Sequence, residues 1–376
     1  MRILRAIPIL SLIFLSVNAW GKNAFQVQEE RVQQALQAMY NRKYDHAKSL
    51  FELICQSEPF HPMGPMGSLA TQWYIDESNR GYQRRNEAFL PAIDKALGIY
   101  AEQMRRHPQN PELVFFYGTT MGLKARLLLG EKNYFGVLIS GYQAIRAIKD
   151  AERRCPDLPD FRLPSALFSY YVGISAPYMK IASWILNVTA SRDSGLQLIE
   201  EAALRGNYSR YEARALLAYI YYYFEGDWGK SLHYSILLAS DFPDNPYYAF
   251  LSAAGLLQLM RESEANFYIQ NIRKALPTLK KASREEYEAR LLLLESQQAF
   301  QRRELATAEK LLKTFIDNYH FELDFDLGNA WLYLGNLYDL QKRRQEARAC
   351  YRQVIALNNR SVAVRLAEKY LEQPFQ

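Results

Sequence analysis

The stretch at residues 331–359 reads WLYLGNLYDLQKRRQEARACYRQVIALNN, and its spacing of large and small residues decides the fold. Leu334 and Tyr338 lie four residues apart, which places them on one face of a helix. A polar run, QKRRQ, follows them, and a second helical stretch begins close to Ala347. Small residues such as Gly335 and Ala347 let two helices cross closely, so the stretch predicts two helices packed against each other.

The same arrangement recurs along the chain. A small residue is followed four positions later by a large one, and twelve positions later by a residue that ends the helix. The complete sets are Ala47, Phe51 and Pro59; Ala96, Tyr100 and Pro108; Ala308, Leu312 and His320; and Ala347, Tyr351 and Asn359. Ser231 and Pro243 form an incomplete set. Together with Trp331-x-x-Leu334-Gly335-x-x-Tyr338, this pattern resembles the tetratricopeptide repeat (TPR) in residue types and spacing.

The resemblance implies an all-α fold, a right-handed α-solenoid of about eight TPR-like helix pairs. Residues 361–373 are apolar on one side and polar on the other, and they predict the C-terminal capping helix that a solenoid needs. We assign irregular TPR-like repeats to residues 24–162, and further TPR-like repeats with the capping helix to residues 163–376. The segment 168–229, with an insertion around Pro177 and a Tyr-rich run, resembles bacterial exported TPR proteins without assigned chemistry.

Residues 1–19 have the composition of a secretory signal peptide. Arg2 and Arg5 form a positive n-region, an uncharged apolar run follows, and Ala19 ends a small-residue cleavage site. The apolar run is shorter than the roughly 20 residues that a membrane-spanning helix needs. We therefore expect an exported protein, periplasmic or associated with the envelope of a bacterial cell, with no transmembrane helix after cleavage. An uncleaved N-terminal anchor is the alternative.

Charge and motif content exclude several classes of function. Loss of residues 1–19 removes two of the 46 basic residues, so 44 face 40 acidic ones and the net charge falls from +6 to +4. This small excess is spread along the chain and predicts no nucleic-acid partner. The histidines lack metal-ligand spacing, and Gly229-Lys230-Ser231 lacks the first glycine of a phosphate-binding loop, since Phe224 stands there. We predict no metal, no cofactor and no enzymatic activity.

The three cysteines, Cys55, Cys155 and Cys350, are odd in number and far apart in the sequence. Small apolar side chains suit the predicted second helices in which Cys55 and Cys350 lie. The favoured interpretation is therefore buried or partly buried free thiols, and a disulfide is the alternative.

Aromatic residues in the middle of the chain indicate where a partner would bind. In the TPR units that this chain resembles, the first helix has one face toward its partner helix and another lining a concave groove. Aligning Leu217 and Tyr221 with Leu334 and Tyr338 identifies the residues that face this groove. The candidates are Glu212, Tyr219, Tyr222, Tyr223, Asn329, Asn336 and Asp339. The alternative is that the tyrosines belong to the core between repeats, with their hydroxyls at its edge.

These features predict a non-catalytic protein–protein interaction scaffold of the cell envelope. It would bind a peptide or protein segment in the concave groove, with Tyr219, Tyr222 and Tyr223 as anchors. The alternative is a solenoid that binds a glycan or small molecule in the same Tyr-rich groove. A hydrolase within the irregular repeats of residues 63–162 has no supporting motif. Neither the partner nor the oligomeric state follows from the sequence.

Overall fold

A computed structural model describes residues 29–80, 86–130, 133–174, 191–321 and 323–376, and within these ranges it contains helices and no strand. The helices are α1 at residues 29–40, α2 Tyr44–Ser57, α3 Met63–Arg80, α4 Asn86–Arg106, α5 Pro111–Gly130, α6 Tyr134–Arg154, α7 Pro159–Ile174, α8 Arg192–Arg205, α9 Arg210–Ile220, α10 Trp228–Asp241, α11 Pro246–Gln258, α12 Glu262–Ala275, α13 Lys281–Gln301, α14 Leu305–Asp317, α15 Phe325–Leu340, α16 Arg344–Ala356 and α17 Val362–Glu372. A π-turn, Tyr221–Glu225, extends α9, and a 3₁₀ turn, Leu276–Thr278, follows α12. None of the described helices is long and apolar enough to cross a bilayer.

Helices α1 to α16 of the described chain form eight consecutive pairs, and α17 packs on the last pair. The first helices of neighbouring pairs touch one another, as α11 touches α13 and α13 touches α15. These odd-numbered helices therefore form an inner row, while the even-numbered helices flank them on the outside. The expected all-α solenoid of about eight TPR-like pairs with a C-terminal capping helix is confirmed. The predicted insertion around Pro177 lies outside the described residues.

Small residues stand where paired helices cross. A Cβ added at Gly335 would lie 2.5 Å from Cε1 of Tyr351, so glycine admits that ring between α15 and α16. Ser231, at the place of Ala347 in its own pair, is buried, and its hydroxyl donates to the carbonyl oxygen of Ala218 at 2.8 Å. The small-residue pattern thus sets the closest approach of the two helices, as the sequence predicts.

The turn between the two helices has the same geometry in several pairs. The residues Arg42, Gly226, Met260, Arg303 and Lys342 have left-handed φ angles between 58° and 75°. In four of these turns the next N–H donates to the carbonyl oxygen five residues earlier; the donors are Lys43, Arg261, Glu304 and Arg343. Among the five, only Gly226 adopts this φ without a steric penalty. The recurrence of one turn indicates that these pairs repeat one structural unit.

The first pair folds back onto the middle of the solenoid, with α1 and the turn after it passing the N-terminal ends of α9, α11 and α13. The hydrogen bonds join Gln33 to Asn207 at 3.1 Å, Asn41 to Asp244 at 3.0 Å and Arg42 to Ser283 at 3.0 Å. One apolar cluster contains Val32 and Leu36 of α1 together with Phe242 and Tyr248. The two regions assigned from the sequence are therefore packed against each other at this point.

The last pair also reaches back to the fifth. The hydroxyl of Tyr223 donates to the carboxylate of Asp326 at 2.5 Å, and the ring centroids of Phe224 and Phe325 lie 5.2 Å apart. Arg365 of the capping helix donates to the carbonyl oxygen of Phe224 at 2.5 Å. The solenoid is wound tightly enough for these pairs to meet, and their side chains fill the space between them.

Candidate binding surface on the inner helices

A π-turn determines where the tyrosines of the predicted groove point. In this turn, Tyr221–Glu225, the N–H of Gly226 donates to the carbonyl oxygen of Tyr221 at 3.0 Å. A π-turn adds one residue to an α-helical turn, so the alignment with α15 does not continue through Tyr222 and Tyr223, which lie inside the turn. Tyr222 and Tyr223 point into the protein and are buried.

Tyr222 lies among polar side chains of three inner helices. Its hydroxyl is surrounded by Tyr333, Gln258 and Gln297, and burial raises its pKa to about 12. Tyr222 is therefore part of the core between repeats and presents no surface to a ligand in this structure.

Tyr223 belongs to a buried ionic cluster. Its hydroxyl donates to Asp326, and Arg290 of α13 forms ion pairs with Asp326 at 3.2 Å and with Glu286 at 2.7 Å. The Arg290 guanidinium also lies 5.0–5.2 Å from the ring centroids of Tyr247, Phe250 and Tyr287. Opposite charges and aromatic faces together compensate for the partial loss of water around Arg290.

Glu212 contacts the first helix pair instead of an open groove. The Tyr40 hydroxyl donates to its carboxylate at 3.1 Å, and the Tyr40 ring packs on Tyr211 and Phe242. Burial raises the pKa of the Glu212 carboxyl, and the hydrogen bond from Tyr40 opposes this shift. The groove position expected at Glu212 is filled because α1 folds back onto it.

The three candidates of the last pair lie in or beside its core, and two of them, Asn336 and Asp339, hold the pair together. Asn329 and Asn336 are buried, and Asn336 accepts a hydrogen bond from the Tyr351 hydroxyl at 3.1 Å. The partners of Asp339 are the Arg344 guanidinium, the Tyr351 hydroxyl and the Phe375 N–H, at 2.9–3.0 Å. Asn336 and Asp339 therefore join α15 to α16, and Asp339 also joins it to the C-terminal tail. The structure does not bring them together with Tyr219 on one open surface.

Tyr219 remains partly exposed on the inner row. Its ring centroid lies 4.8 Å from that of Tyr223 and 5.7 Å from that of Phe325. Further partly exposed aromatic side chains lie beside Tyr219 or beside the ionic cluster, and we call the set the inner aromatic surface: Tyr171, Tyr219, Tyr247, Tyr319 and Phe325. Burial, followed by neighbouring residues such as Asp326, raises the pKa values of Tyr219 and Tyr319. The accessible aromatic rings therefore lie beside buried charges.

The sequence analysis does not predict the ionic cluster, although the spacing of some of its residues indicates that they could meet. Glu286 and Arg290 are four residues apart on one helix, a spacing at which opposite charges meet. Tyr247 belongs to a pair of adjacent tyrosines that the sequence displays. Nothing local marks Asp326, because its contact with Tyr223 joins positions 103 residues apart.

A cavity of about 430 Å³ opens where α17 meets α7, α8 and the π-turn. In its wall, Glu225 forms an ion pair with Arg192. Arg360, Arg365 and Glu368 line the same cavity, which leaves two guanidinium groups against one carboxylate. The cavity adjoins the inner aromatic surface, because the ring centroid of Phe224 in its wall lies 5.7 Å from that of Tyr171 and 5.9 Å from that of Tyr219.

Within the described ranges, no three His, Cys, Asp or Glu side chains converge in a metal-binding arrangement. Cys55 and Cys155 are partly buried, Cys350 is buried, and all three are free. The expectation of free thiols is confirmed.

No protein-family model matches the chain, and a search of curated proteins finds no match. Solved structures of helical-repeat proteins are similar to it over most of its length. The human IFIT1 dimer with PPP-AAAA shares 14% identity, with a TM-score of 0.41, covering 92% of this chain and 84% of that chain. Yeast Tom70 shares 13% identity, with a TM-score of 0.32, covering 96% and 87%. The TPR domain of P58(IPK) shares 14% identity, with a TM-score of 0.24, covering 92% and 97%.

The fold is TPR-like. This conclusion depends on the eight helix pairs, their shared turn and the small residues at their crossings, because scores this low carry no argument about function. Side chains of the fifth and eighth pairs fill the space between these pairs on the inner row. A ligand can reach the inner row at the inner aromatic surface, where the rings are partly exposed.

Proposed function

We propose that this protein is a non-catalytic interaction scaffold that binds an extended segment of a partner protein across the inner aromatic surface. The observation that carries the proposal is the group of partly exposed rings, with Tyr219, Tyr247 and Phe325 at its centre, beside the ion pair of Arg290 and Asp326. Aromatic faces of this kind bind apolar side chains and the flat faces of peptide groups with little loss of side-chain entropy.

The charged groups beside the rings would orient the bound segment. The Glu286 side chain is 31% exposed and pairs with the less exposed Arg290, so one carboxylate edge remains available to peptide N–H groups. The neighbouring cavity, with Arg360 and Arg365 in its wall, would accept an acidic side chain of the same segment. Tyr222 and Tyr223 support this surface from the core and do not serve as anchors.

We further propose export, with cleavage after Ala19 and a periplasmic or envelope location. The motif at residues 1–19 supports this proposal, and it lies outside the described residues. N-terminal sequencing of the protein from its natural source tests it: a chain that begins at Trp20 is expected, and one that retains Met1 would favour the uncleaved anchor.

Site-specific photo-crosslinking tests the binding surface. A photo-reactive amino acid at position 219 or 247 is expected to capture a partner, whereas the same group at position 267 is not, since Phe267 is exposed on an outer helix. The captured segment is then synthesised and titrated against the protein. Tyr219→Ser is expected to weaken its binding about tenfold, or 1.4 kcal/mol. Equal capture at all three positions, or no effect of Tyr219→Ser, would overturn the proposal.

Glycan binding is the second candidate, because the partly exposed carboxylate of Glu286 lies near Tyr247 and Tyr319. Sugars pack on aromatic faces and donate hydrogen bonds to carboxylates. A thermal-shift screen with envelope polysaccharide fragments separates the two candidates. A sugar that raises Tm in the absence of any protein partner, and fails to do so in Tyr219→Ser, would favour the glycan.

A further inference from the structure

Helix α6 presents an apolar stripe to solvent. Phe135, Ile139 and Tyr142 lie at steps of four and three residues, so they share one face of the helix. Their side chains are 74%, 44% and 57% exposed, respectively. Single exposed apolar residues are normal, but a run aligned on one helix face marks an interaction surface.

The fold does not need this stripe. A different face of α6 packs on α5, where Ala144, Ile148 and Ala151 are buried. A Cβ added at Gly118 of α5 would lie 3.0 Å from the Ile148 side chain, so the two helices are already in close contact. As an even-numbered helix, α6 belongs to the outer row, so an extended flat surface can contact it without entering the solenoid.

The same stripe becomes basic in the second half of the helix. Steps of four, three and four residues lead from Tyr142 to Arg146, Lys149 and Arg153, on the same face. Arg146 is exposed and the Arg153 side chain is 76% exposed. Asp150 pairs with Arg153 at 3.2 Å and with Arg154 at 2.7 Å, so it offsets part of this charge. Over residues 146–154, four basic side chains face two acidic ones, the second being Glu152.

We infer that α6 docks on a membrane surface rich in anionic lipid. Its apolar part, residues 135–142, is about 10 Å long, and its basic part follows along the same axis. Amphipathic helices lie in the plane of the lipid interface, with their apolar side chains buried about 5–10 Å into the boundary between headgroups and acyl chains. Phe135 and Ile139 would enter the boundary, while Arg146 and Arg153 would lie against the phosphates.

A protein partner fits this stripe less well. Protein interfaces are apolar in the middle and polar at the rim, whereas here the polarity changes from one end of the helix to the other. Lipid docking would also use a face that the inner aromatic surface does not share. The two proposals therefore succeed or fail independently.

Vesicle co-sedimentation tests the inference. The chain beginning at Trp20 is used, since it keeps every described residue and lacks the apolar run of residues 1–19. It is mixed with vesicles of phosphatidylcholine alone, or of equal parts phosphatidylcholine and phosphatidylglycerol. Binding is expected to be at least about tenfold stronger with phosphatidylglycerol, and to weaken as salt is added.

Two double substitutions test the apolar part and the basic part of the stripe separately. Phe135→Ser with Ile139→Ser is expected to reduce binding to phosphatidylglycerol vesicles about tenfold. Arg146→Gln with Arg153→Gln is expected to reduce, by a similar factor, the ratio of binding to phosphatidylglycerol vesicles over binding to phosphatidylcholine vesicles. The matched controls are Phe267→Ser and Leu204→Ser, which remove apolar side chains at least 64% exposed from other helices. Circular dichroism checks that each variant is folded.

The inference is overturned if the chain binds neither kind of vesicle, or if the control substitutions reduce binding as much as those in α6. It is also overturned if the Phe135 and Ile139 substitutions leave vesicle binding unchanged but convert a dimer to a monomer in light scattering. That result would assign the stripe to contact between two copies of the chain.

Discussion

The hydroxyl of Tyr223 donates a hydrogen bond of 2.5 Å to the carboxylate of Asp326, and this contact joins the fifth helix pair to the eighth. Arg290 of the seventh pair forms an ion pair with the other oxygen of the same carboxylate at 3.2 Å. The Asp326 side chain is only 9% exposed. Because the three groups come from three different pairs, their contacts stabilise the winding of the solenoid as well as its local packing.

Replacement of Tyr223 by Phe is expected to lower the free energy of unfolding by about 1.5–3 kcal/mol, the range for hydrogen bonds to charged groups. The ring remains, but the buried Asp326 loses one of its donors. Tyr221→Phe is the control: the Tyr221 hydroxyl donates to Glu200, which is 37% exposed, so water can replace the lost donor. Urea unfolding followed by circular dichroism measures both changes, and an equal loss in the two variants would contradict the prediction.

Arg290→Met is expected to destabilise the protein more strongly, by about 3–5 kcal/mol, because it leaves a buried carboxylate without its cation. Adding Asp326→Asn removes that charge and is expected to restore part of the loss. The double-mutant cycle should give a coupling free energy of about 0.5–3 kcal/mol between the two residues. Additive losses would show that Arg290 stabilises the protein through Glu286 and its aromatic neighbours and not through Asp326.

The sequence predicts the repeat architecture well because the signal is local. Gly335 and Tyr351, which meet where α15 and α16 cross, both belong to one repeat unit and are close in the sequence. The same is true of the capping helix, whose apolar and polar faces can be identified without reference to any other repeat. The number of pairs, about eight, follows from the length of the chain and the length of one unit, because the marker residues identify only five of them.

The candidate site is predicted less well because it depends on distant contacts. Small rotations between neighbouring repeats accumulate along a solenoid, so no single unit shows that Tyr40 will reach Glu212, 172 positions away. The π-turn adds a second difficulty, since it shifts Tyr222 and Tyr223 out of the aligned register. Tyr219 precedes this turn and remains accessible on the inner row.

Gly335→Ala is expected to destabilise the protein by about 1–3 kcal/mol, because the new methyl group would overlap the Tyr351 ring between α15 and α16. Gly98→Ala provides the control on a helix surface, since no neighbouring side chain lies within 4 Å of the new Cβ. This second change is expected to stabilise the protein by about 0.5–1 kcal/mol through the lower backbone entropy of the unfolded chain. Thermal unfolding of the two variants should therefore shift Tm in opposite directions.

Glu212 is expected to make stability fall as pH rises. Burial raises the folded-state pKa of its carboxyl above the ordinary value of 4.5. Its contribution is therefore fully present below about pH 4.5 and is lost as pH rises through the folded-state pKa. Glu212→Gln should match the parent protein near pH 4 and exceed its stability near pH 8.

The control for this pH dependence is Glu264→Gln. Hydrogen bonding to Arg261 lowers the pKa of the Glu264 carboxyl, so its contribution is present above pH 4.5 and is lost on acidification. The two substitutions should change the pH profile of urea unfolding with opposite signs. A profile that Glu212→Gln leaves unchanged would show that the folded protein keeps this carboxyl as well hydrated as the unfolded chain does.

Cys350 is expected to resist alkylation in the folded protein. Burial on α16 raises the pKa of its thiol to about 12, and the thiolate is the reactive form. Iodoacetamide at pH 8, with peptide mapping by mass spectrometry, should therefore modify the partly buried Cys155 before Cys350. Urea near the unfolding midpoint should remove this difference, because modification of Cys350 then follows the opening of the last helix pair. Rapid modification of Cys350 without urea would mean that α16 separates from α15 under native conditions, which the Tyr351 ring packed on Gly335 argues against.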